Sequence, residues 1–295
     1  MSIVVFGEIL WDVWAHEKHI GGAPFNFAAH LRKLGADPKF VSAIGRDALG
    51  NEALTRVNAL GLDPSFISKV RYETGACHVT QDAEGRPSYR LLTDVAYDYI
   101  PLPDRLPDPK DSLLYFGSLA QRSPVSWRTL SNLLALPFTH VFCDINLRPP
   151  FFSQDILLRS LSSCTILKVS REEYEVLSDL GLIHIDSPAD YSRAFCRAVV
   201  AEYPGIRTVI VTLDKDGSMV YDADTDTFHF SRKPSSKLVS AVGAGDSFSA
   251  CFCANLLKGR SLQECQDRGV LLSDYVVTQP GAVPDYPPEL LKKLI

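Results

Sequence analysis

Short runs of β-branched and aliphatic residues, bounded by turn-forming residues, recur at 3–6, 39–44, 112–116, 140–145, 165–169 and 208–213. Runs of this length without alternation suit strands buried on both faces, as in a parallel sheet covered by helices. Between them lie stretches of helical period at 25–34, closed by Gly35, at 49–60, closed by Gly61, and at 188–203. A glycine just past the last periodic residue accepts the left-handed conformation that ends a helix. Strands alternating with helices predict an α/β fold with a mostly parallel central sheet and helices on both sides.

One region breaks the alternation. Residues 72–100 hold two alternating runs joined at Ala83-Glu84-Gly85-Arg86, which predicts a hairpin with no crossover helix. With the alternating segment 10–19 it would form a small sheet standing off the main domain. A second hairpin, 218–231 around 222–226, is expected as an antiparallel addition at the sheet edge. No repeat, low-complexity stretch or Pro/Gly linker divides the chain, so 1–295 is expected to form a single domain.

Composition narrows the partners. A chain of 295 residues is long enough to bury about three quarters of its surface without staples. Its seven cysteines form no C-x-x-C pair and mostly sit in apolar segments, which suits reduced core thiols of a cytoplasmic protein. Cys251 and Cys253 lack the second pair that a tetrahedral zinc site needs. The first residues carry no basic leader pattern, no run approaches the length of a membrane span, and no Asn-x-Ser/Thr sequon occurs. Membrane association is therefore not expected. The net charge of −5, with Lys and Arg dispersed, gives no footprint for nucleic acid and points to a small-molecule partner.

The most informative string is S-A-V-G-A-G-D-S-F-S-A-C-F-C-A-N-L-L at 240–257, whose later part has the length and period of a buried helix. Gly243, Ala244 and Gly245 would let backbone approach a ligand closely, with free N–H groups of a first helical turn aimed at it. Asp246 falls in the same turn. An anion hole beside a base is what phosphoryl transfer to an alcohol requires. The plainer explanation is a tight turn followed by a helix-start acid stabilised by the dipole.

A second glycine-rich turn feeds a helix at G-G-A-P-F-N-F-A-A, residues 21–29. The amide of Asn26 offers donors and an acceptor suited to vicinal hydroxyls, and Asp12 upstream could accept from two of them. Alternatively Gly22 only makes the turn, Pro24 starts the helix and Asn26 caps it. No Gly-Lys dipeptide occurs, so a Walker A loop is absent, as are the protein-kinase H-R-D and D-F-G strings. The dinucleotide fingerprint fails too, because Phe248 stands where its last glycine or alanine belongs. Gly245-Asp246-Ser247 also admits a serine esterase with Ser247 as nucleophile, although that triplet normally follows a first strand.

Taken in order, these strings resemble the ribokinase-like (PfkB) carbohydrate kinases over nearly the whole chain. Both family signatures are present, G-G-x-P-x-N-x-A at 21–28 and G-A-G-D at 243–246. The resemblance implies a three-layer α/β/α fold with a small β lid formed by segments of about 10–20 and 72–100. It implies ATP and Mg2+ as cofactors, Asp246 as base, and Gly243, Ala244 and Gly245 as the anion hole. Asp12, Gly22 and Asn26 then look like sugar contacts. Thr212 and Gly217 resemble the nucleotide-side loop, and Glu173 the acid that helps hold the magnesium shell.

Three further strings resemble the fructokinase branch: G-E-I-L-W-D at 7–12, F-G-S-L-A-Q-R at 116–122 and D-I-N-L-R-P-P-F at 144–151. Fructose, phosphorylated to fructose 6-phosphate, is the first acceptor they imply. Arg122, Asn146 and Arg148 fall at the ends of expected strands, where open α/β sheets place ligand contacts. For Arg122, surface ion pairing is the competing role. The departures lie on the nucleotide and cation side. Ser240 and Ala241 replace the acid and the Thr that open the late signature, which puts potassium activation in doubt. Ser170 replaces an Asn, and Asp214 replaces a Gly near the expected nucleotide. These changes motivate an alternative, a sugar-binding regulator or pseudokinase with a weakened nucleotide site. Free edges on the lid sheet motivate a homodimer.

Overall fold

The computed structural model describes residues 2–81, 87–106, 109, 112–185, 190–232 and 237–295. The expected 83–86 turn and the 188 start of the third predicted helix lie outside them. In chain order the strands are β1 (Ile3–Phe6), β2 (Leu10–Val13), β3 (Lys18–Gly21), β4 (Pro38–Gly45), β5 (Ile67–Val70), β6 (Gly75–Gln81), β7 (Pro87–Leu91), β8 (Leu113–Gly117), β9 (His140–Asp144), β10 (Ile166–Ser170), β11 (Thr208–Thr212), β12 (Ser218–Asp222) and β13 (Thr227–Ser231). The helices are α1 (Ala23–Lys33), α2 (Ala48–Ala59), α3 (Pro124–Leu134), α4 (Gln154–Ser163), α5 (Arg171–Asp179), α6 (Tyr191–Glu202), α7 (Ala244–Leu256), α8 (Leu262–Val276) and α9 (Pro288–Leu294).

The main sheet has the order β13-β12-β11-β10-β9-β8-β1-β4-β5. Strands β5 through β11 in that order run parallel, and β12 and β13 close one edge antiparallel. The apolar runs form these strands because both faces are covered. In β1, Val4 and Phe6 point into a core with Leu130, Leu157, Leu177 and Phe195 of α3 to α6. Ile3 and Val5 point to the other side, with Phe27, Phe252 and Leu272 of α1, α7 and α8. The fold is the α/β class expected from the sequence, a large and mostly parallel sheet with a smaller one.

The smaller sheet has the order β3-β2-β6-β7. Segment 10–19, expected as one alternating run, is two antiparallel strands. They turn where Trp14 N–H donates to Glu17 O at 2.8 Å. Strand β2 then pairs in parallel with β6, which carries the hairpin with β7. Because β2 follows β1 by only a few residues, the small sheet stands above the C-terminal ends of the main strands, the side on which open α/β sheets bind ligands.

Candidate active site

Two glycine turns build the centre of the site. Gly243 has φ of 80° and caps α7, and a Cβ there would lie 2.5 Å from Ala282 O, so position 243 tolerates only glycine. The helix behind the turn is buried from Ser247 to Asn255, which anchors it. Ala244 N–H donates to Ala241 O at 3.3 Å, and the N–H groups of Gly245 and Asp246 precede the first helical bond, from Ser247 N–H to Gly243 O at 2.9 Å. Gly22 has φ of 105°, and a Cβ there would meet Glu8 O at 2.6 Å. It offers α1 no capping side chain, and the buried Glu8 carboxylate instead accepts from Ala23 N–H.

The turns are joined by one hydrogen bond. Asn26 Nδ2 donates to Asp246 Oδ2 at 2.8 Å, across 220 residues of sequence. Asn26 therefore does not cap α1, and its Oδ1 is buried with no partner, ready to accept from a hydroxyl. Desolvation pushes the Asp246 carboxyl up to about 6; the Asn26 bond opposes this, Asp144 adds to it, and Lys168 and Arg148 oppose it. A carboxyl poised there is ionised at neutral pH yet basic enough to take a proton.

Around this bond the structure gathers most of the expected sugar residues. Asp12 is half-buried on β2, its pKa raised by burial and held back by His19 and Arg148. Glu8 is pushed up to about 7 by burial, with the Asp246 charge adding and Arg148 opposing. Arg148, exposed at the rim, is the cation that acts on all three carboxylates. Asn146 sits at φ of 43° beyond β9, where its carbonyl accepts from Ser118 Oγ at 3.5 Å. Arg122 is not a surface ion pair. Its side chain is 9% exposed, it grips Asp98 through Nε at 2.8 Å and Nη2 at 2.9 Å, and it stacks between Tyr97 and Phe151.

The remaining expected residues group at the ends of β10 and β11. Ser170 Oγ accepts from Glu173 N at 3.2 Å, while Glu173 accepts from Ser170 N at 2.8 Å and from Leu147 N at 2.7 Å. Burial raises the Glu173 carboxyl and Lys168 opposes the rise. Each of its oxygens keeps a second lone pair, so Glu173 suits the water shell of a magnesium ion brought by a nucleotide better than direct ligation. Among the described residues no group of three acids, histidines or cysteines is arranged to hold a metal. Thr212 donates to Val169 O at 3.4 Å, Gly217 turns at φ of 100°, and Asp214 sits at φ of 51° against Glu172. Beside this loop, between Lys215 and Phe230, opens a groove of about 600 Å3. Ser240 Oγ is engaged by Val242 N in its own turn at 3.2 Å.

Sequence reasoning missed Glu8, Asp144 and Lys168. Lys168 Nζ donates to both oxygens of Asp144, at 2.8 and 2.9 Å, and both residues are buried. The signal was legible: a lysine within the apolar run 165–169 is rarely buried without a partner. The esterase alternative has no support here, since Ser247 is fully buried and its Oγ donates to Ala244 O at 2.9 Å. All seven cysteines are free and buried, as expected.

The chain resembles known proteins along nearly its whole length. Residues 3–289 match the pfkB family carbohydrate kinase profile. The chain is 25% identical to an ATP-dependent 6-phosphofructokinase of Thermoanaerobacterium thermosaccharolyticum, covering 97% of this chain and 91% of that one. An uncharacterized sugar kinase from Pyrococcus horikoshii, solved in complex with ATP, superposes with a TM-score of 0.82 at 22% identity, over 99% of this chain and 100% of that one. Apo fructokinase from Vibrio cholerae gives 0.81 at 20% identity, over 95% and 99%. With the family profile spanning nearly every residue, the chain belongs to the pfkB family of carbohydrate kinases and is an ATP-dependent carbohydrate kinase.

Proposed function

We propose that the chain transfers the γ-phosphoryl group of ATP to a hydroxyl of a small neutral sugar, fructose first, giving fructose 6-phosphate. The observation that carries this reading is the Asn26 to Asp246 bond, which sets an acceptor-binding amide against a base at the mouth of an anion-binding turn. Asp12, Gly22, Asn26, Asn146 and Arg148 bind the sugar, with Arg122 behind them. Asp246 takes the hydroxyl proton as the oxygen–phosphorus bond forms, and Gly243, Ala244 and Gly245 receive the phosphoryl oxygens. Magnesium on the nucleotide phosphates would neutralise their charge, with Glu173 accepting from its water shell. Ser170, Thr212, Asp214 and Gly217 border the nucleotide.

Charge supports a neutral acceptor. Glu8, Asp12 and Asp246 share the exposed Arg148 as a common cation and Asp246 raises Glu8, while Arg122 is neutralised by Asp98. Two like charges about 6 Å apart repel by roughly 3 kcal/mol at an effective dielectric near 20, which disfavours an acceptor that already carries a phosphate. Closure of the small sheet, whose β2 bears Asp12, would keep water from competing with the sugar. The outer strands β3 and β7 offer an edge for homodimer pairing, which a monomer in sedimentation at micromolar concentration would contradict. Seven buried thiols fit a reducing cytoplasm.

The test is a coupled ADP-release assay with ATP, Mg2+ and a panel of free sugars, with and without potassium. Fructose-dependent release indifferent to potassium is expected. Silence across the panel in folded protein, with calorimetry showing sugar affinity but no nucleotide affinity, would replace this reading with a sugar-binding pseudokinase, which the Asp214 and Glu172 contact favours.

A further inference from the structure

The ion pair between Lys168 and Asp144 lies directly beneath the late glycine turn. A Cβ built on Gly245 would sit 3.3 Å from Lys168 Nζ, so the missing side chain at 245 is what lets the ammonium reach the inner face of the turn. Asp144 holds it through both oxygens, and Asp144 is fixed in turn by Ser249 Oγ at 3.2 Å and Tyr115 OH at 3.4 Å. Four elements, β8, β9, β10 and α7, therefore converge to place one buried cation at one point. A lysine kept merely for packing needs no such approach to a ligand-facing glycine.

We propose that Lys168 is the fixed cation of the anion-binding turn: its ammonium, aimed by Asp144 at the back of Gly245, supplies positive potential to the phosphoryl group received there and balances the charge of Asp246. The inference rests on the kinase reading above. Lys168 is a positioning residue, acting through the field beneath the turn. Burial works against its charge, but Asp144 first and then Glu173 hold the ammonium above the ordinary lysine range, so it stays charged throughout the working pH. The groups facing Asp246 from the elements around it are Asn26 on α1, Asp144 on β9, Lys168 on β10, Arg148 beyond β9, Glu8 beyond β1 and Tyr115 on β8. Within that set Lys168 and Asp144 act on Asp246 with opposite sign.

Opposite signs give the experiment its force. The Asp246 carboxyl carbon is followed by NMR in 13C-aspartate-labelled protein, assigned by its absence in Asp246→Asn, for Lys168→Met, Asp144→Asn and the double variant. The titration is expected to move up by about one pH unit in Lys168→Met, down by about one in Asp144→Asn, and to stay near the wild-type position in the double variant. Turnover with ATP and fructose should fall about 100-fold in both Lys168→Met and the double variant, with the fructose KM nearly unchanged, because both lack the ammonium. The double variant removes the two charges together and so avoids an unpaired buried ion, which keeps the test open if Lys168→Met does not fold. A lysine kept only to pair Asp144 would leave turnover in the double variant at the wild-type level, and that result, or the absence of opposed shifts, would overturn the proposal. Silence of the wild-type enzyme toward every sugar would instead remove the kinase reading, while the carboxyl titration would still decide whether Lys168 and Asp144 set the field at Asp246.

Discussion

The proposed sugar side and the proposed nucleotide side of the site are built on different principles. On the sugar side polar groups are left wanting: Asn26 Oδ1 is buried without a partner, and Glu8 and Asp246 are carboxyls pushed up to about 7 and about 6. On the nucleotide side the groups satisfy one another. Ser170 and Glu173 exchange capping bonds, Ser240 closes on Val242 N, and Asp214 lies against Glu172. Unsatisfied buried groups are costly to a folded protein and are kept where a ligand completes them. On the proposed assignment, acceptor recognition is preorganised in the fold, whereas nucleotide recognition would rest on backbone turns that tolerate side-chain change.

The comparison breaks most readily at Asp246. Asp246→Asn keeps the bond to Asn26 within reach but cannot take a proton, and turnover should fall by about 1,000-fold or more with sugar binding retained. Steady-state rates beside calorimetric sugar affinity check this, and near-native turnover would remove the base assignment. Next in size is Asn26→Leu. It strips both the acceptor for the sugar and the donor to Asp246, so kcat/KM for the sugar should drop about 100-fold while the KM for ATP moves little. An equal loss on both substrates would mean that the two sides are not separable.

Protonation sharpens the contrast. With Asp246 pushed up to about 6, kcat/KM should fall about tenfold per pH unit below that point, a limb readable in a pH–rate profile. Stability runs the other way. Glu8 is raised in the folded state, so its contribution is fully present below the usual carboxylate pKa and is lost as pH rises through about 7. Glu8→Gln retains the acceptor for Ala23 N–H, and should stabilise the ligand-free protein by roughly 1–3 kcal/mol at pH 8 and negligibly at pH 4. Thermal melts at the two pH values measure it, and an equal gain at both would mean that Glu8 does not carry a destabilising charge.

How much of this was legible depended on whether the cause was local. The parallel strands were readable because burial on both faces demands unbroken apolar runs, and the two turns because only glycine accepts the backbone at 22 and 243. The split of 10–19 into two strands was not, since the turn at 14–17 contains no Gly, Pro, Asn or Asp to announce it. Within the site, Asn26 and Asp246 were each identifiable, but their bond spans the chain and exists only once α1 and α7 pack side by side. Arg122 could be placed at a strand end, yet its burial against Asp98 depends on the short helical turn at Ala96–Tyr99 folding back over it.

The smallest expected effect tests whether the nucleotide side is as tolerant as its self-satisfied side chains imply. Asp214 occupies a left-handed backbone position, φ of 51°, that glycine adopts at no steric cost, and in the proposed reading its carboxylate borders the nucleotide. Asp214→Gly should relieve about 1 kcal/mol of backbone strain and lower the KM for ATP roughly three- to tenfold through lost repulsion, leaving kcat and the sugar KM nearly unchanged. A glycine that loosened the loop instead would raise the KM for ATP, and so would loss of a carboxylate that positions Glu172. A rise that Asp214→Asn, which keeps a side chain at this position but removes its charge, reproduces would show that this loop recognises nucleotide through the carboxylate after all, and the division between a preorganised acceptor pocket and a backbone-built nucleotide site would have to be redrawn around Asp214.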